Sequence, residues 1–256
     1  MIFDSHMHTK FSADSQMTAA TALERARSLN LGVVFTEHFD YGLELNGKSF
    51  TFDAAEYMNE YKNLRGKNRR LGAEIGLRKS ARAANEKFIA SADFDLIIGS
   101  IHLVDDFDIY YPEFYADKDK TTAYRKYFAQ MAEEATLADF DVLGHIDYIC
   151  RAATYDNPEI DYATFAAEID AVLKIVVERE KVLELNTRRF GSDRAVRELV
   201  PVYKKYRTLG GRFVTIGSDA HRVDAIGNYF DRALNFAHEL DLKPVTFCER
   251  SKVQCD

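Results

Sequence analysis

Short β-prone runs alternate with helix-period segments along the whole of this 256-residue chain, and that rhythm restricts its fold more than any single motif does. The runs at 1–5, 32–36, 71–76, 94–100, 141–144, 181–186 and 212–217 read as strands. Segments 17–29, 54–67, 81–92, 122–138, 162–180 and 194–209 lie between or after them with helical period, and 228–240 is a final helix. Thr18 and either Ser192 or Asp193 stand where helix caps belong, and Gly210-Gly211 is a stop.

Alternation at this frequency implies parallel strands joined by right-handed crossovers. A doubly wound open sheet and a closed barrel both satisfy it. An open sheet gathers its ligands at one switch point. Here polar candidates stand at the carboxyl end of every strand: His6 and His8, Glu37 and His38, Glu74, His102, His145, Asn186, then Asp219 and His221. Closure brings all those ends to one face. The expected fold is therefore α/β, a distorted (β/α)7 barrel of the TIM-like kind, with its site at the carboxyl ends of the strands. Four prolines and no Ser/Gly-rich stretch leave no linker, so residues 1–256 are read as a single domain.

Six of the seven histidines sit at these exits, most with a carboxylate close by; only His238 lies apart, inside a helical segment, and receives no role. His6 and His8 alternate with Met7 and so project to one side, and Asp219 and His221 repeat that spacing. A His-x-His pair alone is weak evidence. With Asp14, His38, Glu74, His102, His145, Asp219 and His221 added from separate exits, one shared metal centre accounts for the whole pattern. Glu74 lies in the apolar run Leu71-Gly72-Ala73-Glu74-Ile75-Gly76, where a lone buried carboxylate costs several kcal/mol. An arginine partner would relieve that cost, and so would two cations bridged by its oxygens; the second is preferred. Glu37 precedes His38 and faces the other way, so support is as consistent with it as ligation.

Arg151, Arg188 and Arg189 lie just beyond strand ends, and guanidinium forks suit phosphate oxygens. Arg189 is the weaker candidate because adjacent side chains diverge. The segments 39–53 and 103–120 are long, aromatic and placed to rim the same mouth.

The net charge of −7, from 34 basic and 41 acidic residues, offers no basic footprint for nucleic acid or an anionic membrane. An anionic substrate must then be drawn by local cations. Cys150, Cys248 and Cys255 show neither paired metal spacing nor a disulfide framework, no run is long enough to span a bilayer, and the start resembles no signal peptide. The cytoplasm is the expected compartment, and nothing in the sequence sets an oligomeric state.

The motifs His6-Met7-His8, Thr36-Glu37-His38, Gly72-Ala73-Glu74, Gly99-Ser100-Ile101-His102, Gly144-His145-Ile146-Asp147 and Gly217-Ser218-Asp219-Ala220-His221 together resemble the polymerase-and-histidinol-phosphatase (PHP) superfamily, over nearly the whole chain. Within it the phrasing is most similar to the histidinol-phosphate phosphatase branch. The resemblance implies a distorted seven-stranded barrel holding three divalent metal ions: zinc, manganese or iron by ligand chemistry. It implies a first site of His6, His8, Glu74 and Asp219, a second of Glu74, His102 and His145, and a third of Asp14, His38 and His221. Some relatives have histidine where this chain has Asp14, and many have Thr-Asp-His in place of Thr36-Glu37-His38. Arg151 and Arg188 match the arginines that hold phosphate in that branch.

The expected activity is hydrolysis of a small-molecule phosphate monoester, with L-histidinol phosphate, an intermediate of histidine biosynthesis, as the preferred substrate. Solvent bridging two metals is expected to attack phosphorus in line. Asp219, His221 and Glu74 are the catalytic candidates, Asp219 or His221 supplying a proton to the leaving group. Ser100 and the loop aspartates Asp105 and Asp106 are expected to join Arg151 and Arg188 in holding substrate, the acidic loop meeting its ammonium and imidazole. The alternatives are a phosphoesterase acting on phosphotyrosine, a sugar phosphate or a nucleotide, a non-catalytic metal-binding module, and an amidohydrolase. No strand end carries the lysine that an amidohydrolase typically uses.

Overall fold

A computed structural model of the protein describes residues 1–45 and 47–255. Its main sheet has nine strands: β1 (Phe3–Met7), β2 (Gly32–Phe39), β3 (Arg69–Gly76), β4 (Leu96–Ser100), β5 (Val142–Leu143), β6 (Val182–Asn186), β7 (Phe213–Gly217), β8 (Lys243–Cys248) and β9 (Ser251–Gln254). They pair in that order, all neighbours parallel except the last two. The helices are α1 (Ala19–Ser28), α2 (Ala54–Tyr61), α3 (Arg82–Ile89), α4 (Lys120–Leu137), α5 (Tyr162–Glu178), α6 (Asp193–Thr208) and α7 (Phe230–Glu239). Thr18 and Ser192 cap α1 and α6 through their side-chain oxygens. Among the described residues, no helix is long and apolar enough to cross a membrane.

The ladder curls until its first strand meets the chain leaving its seventh. Asp219 N donates to His6 O at 2.8 Å, His8 N donates to Ala220 O at 2.9 Å, and Met7 bridges Ala220 in parallel. This seam lies at the carboxyl ends, where it presses the first and last motifs together. Strand parity then sorts the apolar residues. Val34, Leu96, Ile98, Val142 and Val182 form an inner core with Phe3, Val245 and Phe247. Their neighbours Val33, Phe35, Ile97, Leu143 and Leu183 join the larger core, which also holds buried helix residues such as Tyr57, Tyr127, Phe165 and Tyr203.

Two expectations need correction here. The last helix does not end the fold: β8 and β9 follow it, the first a parallel continuation and the second its antiparallel hairpin partner. Lys243-Pro244 starts that run with residues poor in strand propensity, which hid it. Two strands also run further than expected, β1 to Met7 and β2 to Phe39, so His6, Glu37 and His38 are ladder residues. Between Asp4 and Met7 the β1–β2 register slips, a local irregularity of the kind that re-aims side chains, and His6 lies inside it.

Candidate metal centre

Glu74 is the hub. It is fully buried in β3, directly across the ladder from His38 of β2, so both face the interior while Glu37 faces away. Glu74 Oε2 lies 3.2 Å from His6 Nε2, 3.5 Å from His8 Nε2 and 3.1 Å from His38 Nδ1. Its Oε1 lies 2.8 Å from His145 Nε2 and 3.3 Å from His102 Nε2.

The three expected ligand sets each meet in space. His6 Nε2 and His8 Nε2 reach Asp219 Oδ1 at 3.8 and 3.5 Å, completing a quartet with Glu74. Glu74 joins His102 and His145 as above. Asp14 Oδ2 lies 3.1 Å from His221 Nε2 and 3.7 Å from His38 Nε2. Among the described residues, the potential ligand atoms of His6, His8 and Asp219, all of the first set, fall within 4.8 Å of one another, and the triplets His8-His38-His221, His6-Glu74-His145 and His38-Glu74-His102, equally close, join one set to the next.

The geometry passes a test of fit to divalent metal. His6 Nε2, His8 Nε2, His38 Nδ1 and Glu74 Oε2 are buried without any hydrogen-bond partner. Each such orphan costs roughly 1–3 kcal/mol, and a protein rarely collects four at one point. Cations bound there would satisfy them together. The charge balance agrees: burial alone would push the Glu74 carboxyl up, but His6, His102 and His38 outweigh it and hold it well below the usual carboxylate range. For Asp219 burial is likewise outweighed, by Arg151 first and then His6. Burial lowers His8 and His145, favouring the neutral imidazole that ligates metal, whereas at His6, His38 and His102 the neighbouring carboxylates outweigh burial and favour the charged ring in the absence of a cation.

Behind the ligands stands a layer that sequence reasoning missed. Glu184 of β6, buried, bonds His6 Nδ1 through Oε1 at 2.7 Å and accepts the His145 backbone N–H through Oε2 at 2.7 Å. Asp40 Oδ1 holds His102 Nδ1 at 2.8 Å. Such carboxylates fix the tautomer and aim of a ligating imidazole. Glycines make room for them: a Cβ on Gly217 would stand 2.4 Å from both Glu184 Oε1 and His6 Cβ, and one on Gly76 would stand 2.1 Å from Asp40 Oδ1. Asp4 accepts the Ser218 N–H and hydroxyl at 2.8 and 2.6 Å, tying β1 to the loop that carries Asp219. Glu184 had a usable signal, since it sits in Val182-Leu183-Glu184-Leu185 as Glu74 sits in its own apolar run. Asp4 and Asp40 had none beyond proximity to a histidine.

Glu37 resolves as support. It accepts Thr9 N, Thr9 Oγ1 and Ser12 Oγ at 2.8, 2.6 and 2.7 Å, and Ser12 Oγ lies 3.0 Å from His8 Nδ1. Ser100, expected beside the substrate, is fully buried and donates to Glu74 Oε1 at 2.6 Å, so it orients that carboxylate.

The ligand sets floor a cavity of about 500 Å³ whose wall includes Arg151, Arg188, Tyr148 and Asp108. Arg151 is anchored by Asp219 Oδ2 at 2.7 Å and by Asn186 Oδ1 at 3.1 Å, and its guanidinium lies 4.7 Å from the Tyr148 ring centre. Arg188 Nη1 donates to the Asp219 carbonyl at 3.0 Å. Arg189 also borders the cavity but is neutralised by Asp147 at 2.9 Å and Glu159 at 2.7 Å. Asp105 and Asp106 are a correction. They form the two-residue turn between the short strands Leu103–Val104 and Phe107–Asp108, both at positive φ (51° and 62°), a conformation aspartate tolerates. Their carboxylates pair with Lys126 and Arg78 and take no part in the cavity wall.

A curled parallel sheet with clustered histidines and acids at its carboxyl ends agrees with the family comparison. Residues 4–188 match the PHP domain, and the chain belongs to the PHP domain family. Its relatives are narrower than that class. The chain is 41% identical, over 98% of both lengths, to a Clostridium acetobutylicum protein named "Probable histidinol-phosphatase". It is 30% identical to the histidinol-phosphatase of Lactococcus lactis, over 85% of this chain and 83% of that one. A crystal structure of histidinol phosphate phosphatase from Lactococcus lactis, complexed with zinc, L-histidinol and phosphate, superposes with a TM-score of 0.92 at 27% identity over 99% of both chains.

Proposed function

We propose that this chain is a divalent-metal-dependent phosphate monoester hydrolase that converts L-histidinol phosphate to L-histidinol and phosphate, a step of histidine biosynthesis. One observation carries the reading: three His/carboxylate sets converge on Glu74 beneath a cavity walled by two anchored arginines. The relatives named above support the choice of substrate.

His6, His8, Glu74 and Asp219 would hold one ion, Glu74, His102 and His145 a second, and Asp14, His38 and His221 a third; zinc, manganese and iron all suit such mixed donors. Ions bound there supply Lewis-acid charge and a means of making solvent nucleophilic at neutral pH. The protein's own groups position the ester. Arg151 and Arg188, both braced on Asp219, offer N–H donors to phosphate oxygens and stabilise charge that shifts during transfer. Asp219 pairs with Arg151 at 2.7 Å, which favours its carboxylate form against the pull of burial and argues against it as the acid. His221 belongs to the third ligand set, and its Nδ1 lies 3.0 Å from the Asp219 carbonyl oxygen, so it too is engaged and neither residue is assigned the proton of the leaving alkoxide.

The test is metal analysis of purified protein alongside phosphate release from L-histidinol phosphate, phosphotyrosine, a sugar phosphate and a nucleotide. Glu74→Gln is expected to lower metal content and turnover together. Arg188→Ala is expected to raise KM with metal content unchanged. A kcat/KM about a hundredfold higher on another ester, about 2.7 kcal/mol in transition-state binding, overturns the substrate. Full metal retention in Glu74→Gln overturns the centre.

A further inference from the structure

Five carboxylates border the cavity, and four are already engaged. Asp14 sits against His221, Asp40 against His102, Glu74 among five imidazoles and Asp219 against Arg151. Asp108 is the exception. It ends the short hairpin that follows β4, is half-buried, and has no ion-pair partner among the described residues. Its Oδ1 accepts the Tyr110 N–H at 2.8 Å, and Oδ2 has no partner among those residues.

The hairpin fixes where this carboxylate stands. Asp108 pairs across the ladder with Leu103, and Ile109 N donates to His102 O at 3.0 Å. Asp108 is therefore held beside His102, on the second ligand set. Tyr148 connects that place to the arginines: its ring centre lies 4.9 Å from that of His102 and 4.8 Å from that of His145, and Arg151 packs over it. The cavity thus has a cationic end at Arg151 and Arg188, an aromatic span, and an uncompensated anion. A half-buried carboxylate without a cation is costly, and burial pushes the Asp108 carboxyl up. Such a group is made whole by a ligand that brings its own positive charge.

We infer that Asp108 is the specificity-determining residue of this site, and that it takes the positively charged nitrogen of a substrate whose phosphate lies on Arg151 and Arg188. This rests on the proposed reaction: L-histidinol phosphate carries an ammonium on the carbon next to its phosphate-bearing CH2 and an imidazole at the end opposite its phosphate. Esters lacking a cation leave Asp108 unpaired and are discriminated against, since a site built for a polar partner penalises its loss. The acidic contact expected of this segment is thus made by the last residue of the hairpin, and the turn pair Asp105-Asp106 serves the backbone.

The experiment compares the metal-loaded wild type, Asp108→Asn and Asp108→Glu on L-histidinol phosphate and on phenyl phosphate, with calorimetric binding of L-histidinol as a second readout. In Asp108→Asn the loss of kcat/KM on L-histidinol phosphate should exceed the loss on phenyl phosphate by about 10- to 100-fold, mostly through KM. L-Histidinol should bind more weakly by a similar factor, and Asp108→Glu should recover part of both. Equal losses on the two esters, or unchanged L-histidinol binding, overturn the assignment. A wild type that prefers phenyl phosphate overturns the proposed reaction instead, and that outcome is visible before any variant is made. Asp108 lies at the end of a surface hairpin, and thermal melting of both variants separates a folding defect from a binding one.

Discussion

Glu184 shows how much of the centre rests on residues that stand outside the ligand sets and hold their members in place. Its two oxygens serve two ligating histidines at once, one through the His6 ring and one through the His145 backbone, with Asn186 Nδ2 at 3.2 Å as a third donor. Replacing it with glutamine keeps the volume and removes the charge that raises His6 basicity. Glu184→Gln should weaken metal affinity by about 10- to 100-fold. A chelator titration followed by residual metal and activity would read this, and an unchanged profile would show that Glu184 only packs. The histidines and acids that converge here were legible because each stands out chemically against a β-prone run. Their supports were not, because an aspartate beside a strand end has many ordinary uses. Glu184 is the exception: the cost of burying a charge, applied to Glu74, applies equally to Val182-Leu183-Glu184-Leu185.

Turns and loops carry the site's finer shape, and they were the hardest to read. Strand rhythm predicted β3 and β6 nearly to the residue, whereas the two-residue turns at Asp105-Asp106 and Glu249-Arg250 lack the Asn-Gly or Asp-Gly signal that announces such hairpins. Composition marked the first as an acidic loop, and only the backbone showed which of its acids faces inward. The segment between β1 and α1 behaves similarly. It delivers Asp14 to the third ligand set, and its shape depends on Glu37, which gathers Thr9 and Ser12 from behind β2. Ser12 in turn contacts His8 Nδ1 and accepts the His38 N–H at 3.0 Å. Glu37→Ala releases those three donors together. The expected result is a selective loss: one class of metal site weakened by about tenfold or more while the others persist, seen as reduced stoichiometry in metal analysis at limiting free metal. Uniform weakening of all sites would assign Glu37 to the whole centre and not to this loop.

Across the whole molecule the two ends of the sheet have separate duties, as in other barrels built from parallel strands. The carboxyl ends hold the ligands. The amino ends are closed by the β8–β9 hairpin, which starts on β7 through Lys243 and Pro244 and turns at Asp95, just before β4, on a different part of the sheet. Asp95 accepts Glu249 N at 3.0 Å through its side chain and Arg250 N at 2.9 Å through its carbonyl, which supports a turn whose two residues both have positive φ. Arg250 also reaches Asp139 and Asp141, and Asp141 accepts Ile97 N at 2.8 Å. Between these anchors Val245 and Phe247 fill the inner core against Phe3, Val34, Leu96 and Val182. Stability and chemistry should therefore separate experimentally. Phe247 is 3% exposed, and Phe247→Ala leaves a cavity that the converging strands cannot collapse, at a cost of about 3–5 kcal/mol. Urea unfolding of the metal-loaded protein should show the lower midpoint with an unchanged slope, while kcat and metal content measured well below the transition stay near the wild-type values. If Phe247→Ala instead strips metal from the folded protein, the inner core transmits strain along the strands to the ligands, and the two ends are one cooperative unit.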